Sequence, residues 1–188
     1  MTVDELHAEL APRLALYRID ERSQRQLQAL WPTIEPHIAS AIDEYIAGGF
    51  TMTHVVQIFT SHRDVIRDIE LAHFRALLNG TFDRAYAQAC QRTVQQQAEI
   101  GLEVRSQLHA GSCIQQAAIA AIARKYRFSA AAVAAHTKLV AQVIMFDAAL
   151  TMTLHLQGQA KTRASRRRLI DRSIAEFGDT IGGVVEAI

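Results

Sequence analysis

No proline follows Pro36 in this chain of 188 residues, and only Pro12 and Pro32 precede it. Proline ends helices and leaves ladder positions in sheets unpaired. Everything beyond Pro36 is therefore free to run in long regular segments. Apolar residues in those segments recur at intervals of three and four, and no stretch alternates with period two. Aromatic residues make up only 6% of the chain. The pattern predicts an all-α protein. With 49% hydrophobic and 21% charged residues, the chain can bury a substantial core and is too apolar to be disordered. Its 20 basic and 19 acidic residues nearly cancel, which argues against a dedicated nucleic-acid-binding domain.

The segments follow from their stop and start signals. A short helix is predicted over residues 4–17, weakened at Pro12. Asp20 suits the N-cap of a helix ending near Trp31, and Pro32 and Pro36 predict a break and restart. In the next helix Ile34, Ile38, Ile42 and Ile46 form one stripe, ending at Gly48-Gly49. A turn holding Thr51 and Thr53 then leads to helices over 54–60 and 62–78, the latter stopped by Asn79-Gly80. Thr81 is the expected cap of a helix over 82–99, which Ile100-Gly101-Leu102 breaks. Two long helices follow, over 104–125 and 130–156, the second capped by Ser129. The first has Ile114, Ala118, Ile119 and Ile122 on its apolar side. Val133, Val140, Ile144, Phe146, Leu150 and Leu154 give the second more apolar surface than one stripe needs. That excess implies a core face and a partner face, with Val140 and Ile144 assigned to pairing and signalling. Seven or eight helices are expected in all.

Beyond Gly158 the composition changes. Residues 157–168 read as a linker between a body of 1–156 and a tail of 169–188. Ile170, Ile174, Phe177, Ile181, Val184 and Ile188 fall at alternating spacings of four and three, the repeat of a coiled-coil seam. The repeat runs into the last residue, which implies a longer helical output module in the natural protein. Residues 161–188 carry six basic residues against four acidic ones, and the Lys161–Arg172 run is best read as a solvated helical linker. Cys90 and Cys113 lack any paired or zinc-type spacing and read as buried free thiols. The apolar runs near 117–123 and 143–149 are too short or interrupted for a bilayer, and the N-terminus lacks a signal-peptide pattern. A cytoplasmic location is expected. No phosphate loop, dinucleotide fingerprint, HExxH or nucleophile elbow occurs, so no catalytic residue is assigned.

The order of segments resembles the globin-coupled sensor domain, the sensory globin of bacterial aerotaxis transducers and diguanylate cyclases. IEPHIASAIDEYIAGG is similar to that family's second helix, which carries a distal-pocket tyrosine at the place of Tyr45. HFRALLNGTFDRAY is similar to its "HW, then G-x-F-D, then Y" pattern. RTVQQQAEIGL is similar to its R-I-x-x-x-H-x-x-I-G-L signature. RSIAEFGDTIGGVVEAI resembles the start of the signalling helix of methyl-accepting chemotaxis proteins. The resemblance implies a globin-like fold, a homodimer formed through the last two long helices, and an output to a chemotaxis kinase or adaptor.

One departure bears on the cofactor. The family's haem-binding proximal histidine corresponds to Gln97, and an amide is a poor iron ligand. The aromatic pair expected after IGL is replaced by Ser106 and Gln107. Pocket-lining candidates are Tyr45, His73, Leu77, Gln97, Ile100 and His109. The resulting expectation is a haem-free intracellular sensor without enzymatic activity or metal. The alternatives are a haem sensor using His73 or His109 as an unusual axial ligand, a non-sensing dimerisation or clustering module, and a gas-binding or haem-storage globin.

Overall fold

The structure, a computed structural model, describes residues 1–49 and 55–186, the side chains of 175–186 excepted. It contains six α-helices and no strand among the described residues: α1 (Val3–Leu16), α2 (Glu21–Gly49), α3 (Val56–Leu78), α4 (Arg84–Glu99), α5 (Val104–Lys125) and α6 (Ala130–Glu186). The expected turn at Thr51 and Thr53, and the helix start at His54, lie outside the described residues.

The count is lower than the sequence suggests because three expected breaks do not occur. Pro32 and Pro36 lie inside a continuous α2. They are one turn apart on the exposed face, so the carbonyls they leave without intrahelical donors face water. On the opposite face Leu27, Leu30, Ile34 and Ile38 are buried and hold the helix to the core. The break expected near His62 is only a kink: α3 passes through it with φ −128° and ψ 23°. Gly158 does not end α6 either, which continues for 57 residues as one helix. A single glycine costs a helix about 1 kcal/mol, too little to stop a long one.

The helix ends are set locally. Thr2 and Glu5 form a reciprocal capping box on α1. Asp20 caps α2 by accepting from Ser23 N at 2.8 Å. The cap of α4 is Asp83, which accepts from Tyr86 N at 3.0 Å, and not Thr81. Thr81 is instead engaged by the Asn79 side chain in the preceding turn. That turn needs Gly80: its φ is +76°, and a Cβ there would lie 3.0 Å from the Gln24 carbonyl oxygen. Ser129 caps α6 through Ala132 N.

Packing divides the chain into Met1–Leu154 and His155–Ile188. The first unit holds a continuous core with contributions from all six helices. Helices α5 and α6 approach closely at Gly111, where a Cβ would sit 3.5 Å from Ile144. In the second unit residues 158–174 are all exposed, including Leu169, Ile170 and Ile174. Because α6 joins apolar runs that look separate in sequence, it reaches the length and hydropathy of a bilayer-crossing helix. More than half of that apolar stretch is buried in the chain's own interior.

Candidate functional site

Four helices direct polar side chains into the otherwise apolar interior. Glu70, His73 and Leu77 lie at spacings of three and four on α3, on the same buried face as Ile66. Tyr86, Cys90 and Gln97 occupy the buried face of α4, and Ser106 and Gln107 that of the first turn of α5. Asp147 comes from α6, between Phe146 and the buried Leu150. Glu70, His73, Gln97, Gln107 and Asp147 are each no more than 3% exposed. Polar groups so deeply buried must find partners in one another.

They do so in one network. Gln97 Nε2 donates to Glu70 Oε1 at 2.8 Å. His73 Nε2 lies 2.9 Å from Asp147 Oδ2, and the Tyr86 hydroxyl donates to Asp147 Oδ1 at 3.3 Å. Gln107 links the two halves, and a half-turn of its amide changes what it satisfies. In one orientation its oxygen accepts from Gln97 Nε2. In the other its NH2 donates to both Glu70 oxygens at 3.2 Å, and its oxygen accepts from His73 Nε2 at 3.1 Å. Gln97 favours the first orientation. The imidazole favours the second, which gives its N–H an acceptor besides Asp147.

Burial pushes the Glu70 carboxyl up to about 7, against the opposing pull of His73 and the Gln97 hydrogen bond. Burial alone would lower His73, but the charge and hydrogen bond of Asp147, with Glu70 behind them, hold it above its ordinary value. Burial also pushes Tyr86 and Cys90 well up, so both stay protonated near neutral pH. Glu70 thus changes charge near neutrality inside a sealed network.

A second group adjoins the first. Tyr45 on α2 is fully buried and packs edge-on against Phe59 and His109, with ring centroids 5.4 Å away in each case. Gly48 and Gly49 make room for these rings. A Cβ at Gly49 would come within 2.6 Å of Phe59, and one at Gly48 within 2.9 Å of His109. The Tyr45 hydroxyl has no hydrogen-bond partner among the described residues. Burial raises its pKa, and the charge of Glu70 adds to the rise.

The structure therefore sorts the sequence-derived candidates into two neighbouring groups. Tyr45 and His109 meet in the aromatic group; His73 and Gln97 share the polar network. Leu77 is an ordinary core residue, and Ile100 is the half-buried C-cap of α4. Val140 and Ile144, assigned from sequence to a partner face, pack into the chain's own core at 0% and 7% exposure. Within residues 130–156 of that helix the large exposed apolar residues are Met145, Met152 and Leu156. Ile170 and Ile174 are exposed, and the side chains of Phe177, Ile181 and Val184 lie outside the described residues. Sequence reasoning missed Glu70 and Asp147 and left Cys90 without a role. The signal for Asp147 was its isolation in the apolar run VIMFDAAL. The signal for Glu70 was its place one turn after Ile66 on the apolar stripe.

Six helices packed around one interior, with α3 and α4 joined across it by buried side chains, define a globin-like fold. The comparisons agree. The chain belongs to the protoglobin family, whose model matches residues 6–161. Among solved structures it is similar to the globin domain of the Geobacter sulfurreducens globin-coupled sensor. The TM-score is 0.68 at 14% identity, covering 78% of this chain and 97% of that one. No curated protein matches the sequence.

Proposed function

We propose that this protein is a haem-free sensor globin, with Gln97 at the place of the proximal histidine. The observation that carries this reading is the direct hydrogen bond from Gln97 on α4 to Glu70 on α3. A flat macrocycle between these helices needs about 3.5 Å of clearance on each face, so opposed side-chain atoms must stand about 7 Å apart. The bonded pair stands at 2.8 Å. The donor set is also wrong for iron: two amides and a carboxylate converge where an imidazole is required. His73 is held by Asp147 and His109 packs on Tyr45, so neither imidazole is poised as a substitute. These residues do not fit a haem.

Family membership and the likeness to a globin-coupled sensor support the sensing role. A change in the interior network would bias the packing of α3, α4 and α6, a two-state coupling in which one element carries the shift outward. Helix α6 suits that task, since it runs from Asp147 in the core through to Glu186 without interruption. Its exposed Leu169, Ile170 and Ile174 and the 3.5-residue repeat support pairing with a second copy in the cytoplasm and output to a chemotaxis module.

Titration of the purified protein with hemin tests the cofactor reading. The expected result is a colourless protein with no Soret band before or after addition. A Soret band that co-migrates with the protein overturns it, and the haem-sensor alternative then stands. Sedimentation tests pairing, for which a dimer is expected; a monomer removes both the signalling and the clustering readings.

A further inference from the structure

We propose that His73, Cys90 and Asp147 form an internal binding site for one divalent transition-metal ion of the zinc class. The three side chains come from α3, α4 and α6, and their ligand atoms all lie within 4.8 Å of one another. An imidazole nitrogen, a thiolate sulfur and a carboxylate oxygen make up a donor set of the kind zinc takes. A tetrahedral ion with bonds of about 2.0–2.3 Å sets its ligand atoms roughly 3.3–3.7 Å apart. His73 and Asp147, now 2.9 Å apart, would open slightly, and Cys90 would draw in by no more than about 1 Å.

The surroundings favour a cation over an empty core. Glu70 and Asp147 bring two carboxylates into this interior, and His73 is the basic group that the network supplies among the described residues. The buried Asp147 carboxylate is expensive to hold away from water without a cation beside it. The thiol lies against this charge, although an ordinary buried cysteine sits among apolar groups. One nitrogen of the buried imidazole, Nδ1, has no hydrogen-bond partner among the described residues. The Tyr86 hydroxyl, already on Asp147, stands where a neighbour would orient that carboxylate. Binding replaces the Cys90 thiol proton and the proton shared by His73 and Asp147, so two protons leave for each ion bound. Glu70, Gln97, Gln107 and Tyr86 face the site and remain outside the ligand set.

This proposal uses different atoms from the Gln97–Glu70 bridge and is independent of the hemin result. It is tested with cobalt(II), whose spectrum reports its ligands, on full-length protein stripped with a chelator. The ion is supplied both to the folded protein and during refolding from urea, so that a closed entry path is not mistaken for a missing site. The expected result is one equivalent bound, with visible bands of a four-coordinate ion and a near-ultraviolet sulfur-to-cobalt band, all displaced by zinc(II). Cys90→Ser should abolish the near-ultraviolet band and weaken binding by about tenfold or more, whereas Cys113→Ser should change neither. The proposal is overturned if neither route gives stoichiometric binding, or if binding and spectrum persist unchanged in Cys90→Ser.

Discussion

The interior of this globin is divided between two neighbouring groups that achieve specificity differently. Around Tyr45, Phe59 and His109 it is held by shape: rings meet edge-on, and Gly48 and Gly49 withdraw to admit them. Around Glu70, His73, Gln97, Gln107 and Asp147 it is held by mutual satisfaction, since each group depends on its neighbours for a partner or a counter-charge. Shape fails gradually when a side chain is enlarged or trimmed. A sealed polar network fails abruptly, because removing one member leaves another buried and unpaired.

Asp147→Ala gives the largest expected effect. It strips His73 of its charge partner and the Tyr86 hydroxyl of its acceptor, and should cost about 3–5 kcal/mol in urea denaturation. A loss below about 1 kcal/mol would show that the network is not held by satisfaction at all.

The second prediction concerns pH. The Glu70 carboxyl titrates near 7 in the folded chain and near its ordinary 4.5 when unfolded, so the folded state retains a proton that the unfolded state has lost. Stability should therefore fall as pH rises from about 4.5 to about 7 and level off above, by up to about 3 kcal/mol. His73, raised in the fold, acts in the same direction: its contribution is complete below 6.5 and is lost as pH rises through its folded value. Glu70→Gln should flatten the lower part of this curve and leave the part due to His73. An unchanged slope would assign the dependence elsewhere.

Gly49→Ala probes the other group. The new Cβ meets the Phe59 ring at 2.6 Å, and displacing that ring should cost about 1–3 kcal/mol with little dependence on pH. The smallest effect is expected at the surface, where Arg67 Nε donates to Asp43 Oδ1 at 2.8 Å with both side chains partly exposed. Asp43→Ala should cost about 0.2–1 kcal/mol and lose even that at high salt. The contrast with Asp147→Ala isolates burial as the cause, since both changes delete an aspartate from an ion pair.

The sequence by itself determined the helical class and most helix ends. These are local matters, settled by the spacing of apolar residues, by caps such as Asp20 and Ser129, and by the left-handed glycines at Gly80 and Gly101. It overstated the breaks at Pro32, Pro36 and Gly158, because a helix anchored by a buried face tolerates a local penalty that propensity alone scores as a stop. Only the tertiary structure decided that Glu70, His73, Cys90, Gln97, Gln107 and Asp147 share one interior. They lie on four different helices, and in sequence a buried carboxylate reads the same as a solvated one. Burial and pairing, which decide whether such a group costs energy or carries function, arise only when the helices pack.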